Sequence, residues 1–333
     1  MVEVSVCIPV YNVARYLQQC IDSLLHQSLK SIELVFVNDA STDDSLDILL
    51  KNQLLHPDKI KVIDSKVNRK LGSARNLGIA NASGKYIGFV DSDDDVELNM
   101  YERLAQTAEE HHVDFVMADY KRINRNGSSY VKTLNIDSGY YDHQKIENDI
   151  FPALIMGENI DYGPLLSVWH CLYRREFLQK HNFMFDEEVR WSEDNIFSAV
   201  MGYYCQSFFY LKGEALYHYY QNEGTITTSY RKGAWDVYSL MNTHLHEFFD
   251  NVKEYDFSRQ LKLHMVYYAC NCIGQQMTRP KAEALSGIRE ILNSKQLKDA
   301  FNDFRLPDVP FKLKAQLLMM KYRQTYLLYQ MKK

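Results

Sequence analysis

The chain has 333 residues, 46% hydrophobic and 24% charged, the balance of a folded protein rather than a disordered one. Its net charge of -5 offers no global attraction to nucleic acid, so an anionic ligand has to be met locally or through a metal ion. MVEVSVCIPVYN at the N-terminus lacks the basic n-region of a signal peptide, and no apolar run reaches the ~20 residues of a membrane helix.

The first third alternates strand and helix signals. VEVSVCIPV reads as a buried strand, and RYLQQCIDSLLHQSL places Tyr16/Leu17, Cys20/Ile21, Leu24/Leu25 and Leu29 on one helical stripe. IELVFVND is a second strand. STDDSLDILLKNQLL opens with N-cap residues and continues as a helix. IKVID, the helix GSARNLGIANAS and the strand GKYIGFVD complete a β-α-β-α order. That order predicts an α/β fold with a mostly parallel sheet flanked by helices, and ligands beyond the carboxyl ends of the strands. A helix is predicted from Val96 to about His111, then two strands around an Asn126-Gly127 turn. Residues 157–195 read as a long loop region with short helices. After Arg231 the texture becomes helical, with amphipathic stretches at 234–250, 257–277, 281–292 and 311–331. The predicted division is a catalytic domain over 1–230, with halves at 1–100 and 100–230, and a helical domain over 231–333.

Composition adds two points. Cys7, Cys20, Cys171, Cys205, Cys270 and Cys272 include no C-x-x-C pair, so they read as reduced, mostly buried thiols of a cytoplasmic protein. The 24 tyrosines suit carbohydrate surfaces as well as ordinary packing.

Four patterns carry chemistry. FVDSDDDVE places Asp91, Asp93, Asp94 and Asp95 at a strand end. By strand alternation Asp91 and Asp93 share a side, a port for Mg²⁺ or Mn²⁺; the alternative is a solvated acidic turn capping the next helix, with Asp95 as the cap. PVYN (Pro9, Tyr11, Asn12) and VNDASTD (Asp39) end the first two strands, where Tyr11 can stack on a ring and Asp39 can accept a base imide, or both are plain turns. GSARNLGI opens a helix with Arg75, suited to a phosphate or nucleobase, without dinucleotide or P-loop glycine spacing. In WSEDNIF the Glu193-Asp194 pair is either a helix cap or a catalytic base.

In order, SVCIPVYN, VNDASTDDS, GSARNLGI, GKYIGFVDSDDD, VWHCLYRREFL, WSEDNIF and YHYYQNEGTIT resemble the family 2 inverting nucleotide-sugar glycosyltransferases with the GT-A fold, of the kind that builds bacterial polysaccharides and cell-surface glycans. The resemblance is dense over residues 3–100 and absent after about 230. It implies that Pro9 and Tyr11 frame the nucleobase, Asp39 bonds a uracil imide, Arg75 lies near base or phosphates, Asp91 holds the ribose side, Asp93 the metal, and Asp94 approaches the sugar. Asp194 matches the general base, with Glu193 supporting it or orienting the acceptor. The implied reaction moves a hexose or N-acetylhexosamine from a UDP-sugar to a glycan or lipid-linked saccharide, with a divalent metal and inversion.

Two departures touch the site. The family's usual Trp-Asn-Lys reads Trp169-His170-Cys171 here, in a region that commonly faces donor or acceptor. Tyr220 and Asn222 stand where arginines are common. His218 is then a candidate third metal ligand or a packed strand histidine, and Thr225 and Thr227 candidate phosphate contacts. From Lys312 to Lys333 there are six basic and no acidic residues, and Leu313, Leu317, Met320, Gln324, Leu327/Leu328 and Met331 trace one helical face. Such a helix packs on the catalytic domain, pairs with a second subunit in a homodimer, or lies on an anionic membrane at its inner face. The alternatives to the enzyme are a non-catalytic nucleotide-sugar-binding scaffold of the same fold, a nucleotidyltransferase, and, within the class, transfer to a protein-linked glycan.

Overall fold

The computed structural model describes residues 2–222 and 230–331. Its first strands form where β-branched runs are buried on both faces, as a sheet covered by helices requires. The first unit contains β1 (Val4–Val10), α1 (Ala14–Leu25), β2 (Ile32–Asp39), α2 (Ser45–Leu55), β3 (Ile60–Ser65), α3 (Lys70–Asn81), β4 (Tyr86–Phe89), β5 (Asp95–Val96), α4 (Met100–His111), β6 (Phe115–Ile123), β7 (Ser129–Lys132), β8 (Gly139–Asp142) and α5 (His143–Asp149). It resumes with β9 (Cys171–Arg174), α6 (Arg175–Lys180), α7 (Asp194–Tyr204) and β10 (Ser207–Tyr220). The strand order is β3-β2-β1-β4-β9-β6-β10-β5, with β7 on β6 and β8 on β10.

From β3 to β4 every pairing is parallel. Beyond β4 the sheet is mixed: β9 runs antiparallel between β4 and β6, and β10 is parallel to β6. The expected loop at 157–195 therefore contains a central strand. Its four residues, CLYR, are too few to show a period, and neighbours on both sides decide their conformation. The helix expected from Val96 starts at Met100. Asp95 and Val96 are drawn into β5 against β10, and the Glu97 amide donates to the Leu216 carbonyl at 2.9 Å, which keeps the chain extended to that point.

The chain divides into two compact units, Met1–Asp149 with Leu165–Glu223, and Ile150–Pro164 with Gly224–Lys333. Residues 150–164, expected within the catalytic half, belong to the helical unit. That unit consists further of α8 (Ala234–Phe249), α9 (Ser258–Gln276), α10 (Lys281–Asn293), α11 (Lys295–Ala300), α12 (Phe311–Lys321) and α13 (Thr325–Met331). Gln260 on α9 ties the segment down: it accepts the Ile155 amide at 2.8 Å and donates to the Phe151 carbonyl at 2.6 Å. Tyr162 and Tyr268 join hydroxyls at 2.8 Å, and Glu158 pairs with Arg259.

The single helix expected at 311–331 is two, broken where Arg323 takes φ 57°. Leu317, Met320 and Leu328, central to the predicted apolar face, are buried within their own unit. Part of that face is thus used for packing, while Leu327 on the same face is 51% exposed and Leu313 and Met331 are half-buried. No described helix is long and apolar enough to cross a membrane, and all six cysteines are free thiols, five of them buried.

Helix α3 lies hard against β1. A Cβ on Gly78 would stand 2.8 Å from Cys7 Cβ and 3.1 Å from its Sγ, atoms fixed to a central strand. Gly78→Val is expected to lower unfolding stability by at least the roughly 1–3 kcal/mol of an overpacked core, read as a fall in melting temperature.

Candidate active site

The carboxyl ends of β1, β2 and β4 form one edge of the sheet, and the sequence patterns sit there. Pro9 is buried in β1, whereas Tyr11 just beyond it is 49% exposed and available for stacking. Asn12 turns the chain at φ 53°; its Oδ1 accepts the Thr42 amide at 2.7 Å, linking the two loops. Asp39 is buried, and its oxygens accept the backbone amides of Arg69 (2.8 Å) and Lys70 (2.9 Å). Its first task is to hold the turn that leads into α3. Each oxygen keeps a further lone pair for a ligand donor.

The aspartates do not continue β4. The Asp94 amide donates to the Asp91 carbonyl at 3.0 Å, closing a turn, so strand alternation does not set their directions. Each carboxylate has its own partners. Asp91 meets Arg75. Asp93 has Asn222 Nδ2, 2.9 Å from its carbonyl and 3.4 Å from its Oδ2. Asp94, expected near the sugar, is instead a buried strut: Tyr217 donates to Oδ2 at 2.7 Å and the Tyr220 amide to Oδ1 at 2.8 Å. Asp95 caps no helix; in β5 it takes Gln19, the Tyr220 hydroxyl (2.9 Å) and His218 Nδ1 (2.5 Å). Burial, with Asp91 beside it, pushes the Asp93 carboxyl up to about 6. Burial and the neighbouring Asp93 and Asp91 push Asp94 well above the carboxylate range.

The arginine expected at base or phosphate has protein partners. Arg75 is 2% exposed; its Nη2 meets Asp91 Oδ1 at 2.8 Å and its Nη1 pairs with Glu193 Oε1. The guanidinium lies 5.3 Å from the Phe185 ring centre. Two neighbours on α3 secure the same segment. Asn76 exchanges hydrogen bonds with the Phe185 backbone at 2.8 and 2.9 Å, and a Cβ on Gly72 would come within 2.6 Å of the Asp186 carbonyl. The small residues of GSARNLGI are what let residues 185–194 close onto this helix.

Glu193 precedes the first residue of α7 and makes no side-chain capping bond, while Asp194 lies in the first turn, where its charge complements the helix dipole. Ser192 before it takes φ 61°, a strained value that sets the direction in which the pair enters the site. Burial pushes the Glu193 carboxyl up against the pull of Arg75, and its Oε2 is buried with no hydrogen-bond partner among the described residues. Asp194 is pushed up to about 7, first by burial, then by Glu193, with Arg75 opposing. A carboxylate poised there suits proton abstraction near neutrality.

His218 is not placed as a metal ligand. Nδ1 faces Asp95 at 2.5 Å and Nε2 faces Glu97 at 2.9 Å. Both ring nitrogens are thus taken by carboxylates of the protein, and the hydrogen bond to Asp95 raises the His218 pKa against burial. Trp169, expected to face substrate, is 7% exposed and packs at 4.5 Å from Tyr217 and 4.6 Å from Tyr120. His170 is buried on the Ala118 carbonyl, and burial lowers its pKa to about 4. The departure at His170 and Cys171 is therefore buried in the fold, whereas the one at Asn222 reaches Asp93. Thr225 and Thr227 lie outside the described residues.

Tyr217 escaped the sequence reading, as did the partners of Asn76 and Asn222. Tyr217, fully buried, bonds Asp94 and also accepts the Asp91 amide at 3.2 Å. Its presence in the YHYYQN block was the available signal; its partners, 126 and 123 positions away, were not. Among the described residues no three His, Cys, Asp or Glu side chains converge into a ready metal cage. Asp91 and Asp93 nevertheless fit a hard cation of the Mg²⁺ type, which takes one or two carboxylates and fills its shell with water and phosphate oxygens. The mutual repulsion that burdens Asp93 is what such an ion relieves.

Residues 5–181 match the model of a family described as glycosyl transferase family 2. An uncharacterized glycosyltransferase, EpsJ of Bacillus subtilis, is 35% identical over 70% of this chain, and the match spans 65% of that protein's length. The putative glycosyltransferase EpsH of the same organism is 28% identical over 96% of this chain and 92% of its own. Among solved structures, S. aureus TarS 1-349 in complex with UDP-GlcNAc superposes with TM-score 0.69 at 20% identity, covering 99% of this chain and 90% of that one. At that identity the likeness is one of fold.

Arg75→Ala would leave Glu193 and Asp91 facing one another across a dry space. The expected cost is about 3–5 kcal/mol of unfolding stability, measured by denaturant titration, with Arg75→Lys losing less because it keeps the charge but cannot span both carboxylates.

Proposed function

This chain belongs to glycosyl transferase family 2, and on that premise we propose a cytoplasmic, divalent-cation-dependent enzyme that moves a hexose or N-acetylhexosamine from a UDP-sugar to a hydroxyl of a glycan or lipid-linked saccharide, with inversion. The observation that carries the reading is the buried Arg75, which links Asp91 at the aspartate turn to Glu193 beside Asp194.

In this reading Tyr11 stacks on the base and Asp39 accepts its imide N–H. Asp194 takes the proton from the acceptor hydroxyl while that oxygen forms a bond to the anomeric carbon. The bond from that carbon to the diphosphate breaks on the opposite face, and UDP leaves with the electron pair, so the configuration inverts. Glu193 holds Arg75, and its unpaired Oε2 is free to orient the acceptor. A divalent cation held by Asp93 and Asp91 would neutralise charge on the departing diphosphate. TarS binds UDP-GlcNAc, whereas a fold relative from Pyrobaculum calidifontis, at TM-score 0.52, binds GDP-Man with Mn²⁺, so the uridine preference rests on Asp39 and Tyr11. Leu317, Met320 and Leu328 are buried, but Tyr322, Tyr326 and Leu327 stay exposed on the basic segment, so peripheral contact of residues 311–333 with an anionic membrane belongs to the proposal.

Purified protein incubated with a panel of UDP-sugars should release UDP from one of them in Mn²⁺ or Mg²⁺ and stop in EDTA. Asp194→Asn should cut turnover by about 10²–10⁴-fold while leaving UDP affinity nearly intact. Because the base must be unprotonated, the rate should climb with pH and level off above about 7. Full turnover by Asp194→Asn would remove the base assignment. UDP binding without turnover of any sugar would favour the scaffold alternative.

A further inference from the structure

One stretch of the first unit carries charge against its surroundings. The unit holds 31 acidic and 21 basic residues, yet residues 120–136 have four basic side chains, Lys121, Arg122, Arg125 and Lys132, and no acidic one. The stretch is the β6–β7 hairpin and the chain leaving it.

Register places part of it on one face with residues that reach the site. Tyr217, Tyr120 and Lys132 form one row across β10, β6 and β7, and Tyr219, Arg122 and Tyr130 form the next. Directly paired residues project to the same side of a sheet. The first row begins at the hydroxyl on Asp94 and is backed by Trp169. In the second, the Arg122 guanidinium lies 5.4 Å from the Tyr219 ring centre, and Tyr130 is 49% exposed. At the turn, Arg125 Nη2 donates to the Asn222 carbonyl at 3.3 Å, and Asn222 Nδ2 donates to the Asp93 carbonyl at 2.9 Å. Two hydrogen bonds therefore connect the turn to the aspartates, on the β6–β10 side and away from Asp39.

We propose that this hairpin face is the acceptor arm of the site and that it takes a saccharide bearing carboxylate or phosphate groups. The inference rests on the transferase reading above. A tyrosine ring packs on the C–H face of a sugar, and adjacent arginine and lysine supply donors to its anionic groups. The negative field of the rest of the unit repels a polyanion, so Arg122 and Lys132 on this face, with Arg125 at the turn, focus it here, while Lys121 projects to the other side of the sheet.

The test uses three probes of equal length: oligogalacturonate, phosphorylated dextran oligosaccharide and neutral maltooligosaccharide, titrated calorimetrically into the full chain at low salt. At least one anionic probe should bind at least tenfold tighter than the neutral one. A Tyr130→Ala/Lys132→Glu chain, changed at two exposed positions that leave the core untouched, should lose that affinity at least tenfold. Equal binding of neutral and anionic probes would overturn the proposal, as would unchanged affinity in the double variant. Binding of anionic phospholipid vesicles through these residues without saccharide binding would also overturn it. UDP affinity measured on the same samples separates the two claims: UDP binding without saccharide discrimination sinks the arm alone, and wild-type protein that binds no UDP sinks the transferase reading.

Discussion

A single buried guanidinium organises the site. Arg75 stands where a strand turn, a helix start and its own helix meet, and its charge faces Asp91, Glu193 and Asp194. A charge so enclosed is tolerated only when its partners are fixed, because losing one leaves the others desolvated and unpaired. The rest of the site serves that condition. Gly72 allows residues 185–194 to come close, Asn76 fastens them, Ser192 takes a strained φ to aim Glu193, and β4 delivers Asp91 from the other side. The consequence for chemistry is that the carboxylate assigned to the donor and the pair assigned to the base share one rigid connection.

The four aspartates of the turn are kept together by sorting them rather than by neutralising them alike. Asp95 is buried in part, and hydrogen bonds from His218, Gln19 and Tyr220 lower its pKa against that burial. Asp94 is sunk into hydrogen bonds from β10, and its neighbours hold it toward the neutral acid. That leaves Asp91 and Asp93 to face a ligand, with Asp93 already burdened by the charge of Asp91. The answer to the crowding is therefore local: one carboxylate on a histidine, one masked acid, one carboxylate on Arg75, and one left for the ion that accompanies a diphosphate. Strand β10 does most of this sorting through Tyr217, His218 and Tyr220, and the chain just past its end adds Asn222.

Much of this was legible in the sequence. The alternation of buried strand and amphipathic helix set the parallel half of the sheet, and turn residues after apolar runs put Asp39 and Asp91 at the strand ends. What the sequence hid were contacts made across long separations. Arg75 and Glu193 are 118 positions apart, so GSARNLGI looked like a ligand loop when it is a clamp. His218 had the chemistry of a metal ligand until Asp95 and Glu97 were seen at its two nitrogens. β9 was invisible because its conformation comes from β4 and β6. The C-terminal stripe had the right period for a long helix, but its buried residues belong to two helices that pack within their own unit.

The central claim is that Arg75 joins the Asp91 end of the site to the Glu193-Asp194 end. A double-mutant cycle on UDP release, with Asp91→Asn and Glu193→Gln alone and together, tests it most directly. The account predicts strong non-additivity, the combined loss falling short of the product of the single losses by roughly 3- to 100-fold. Losses that multiply to within a factor of about two, as expected for independent sites, would contradict it.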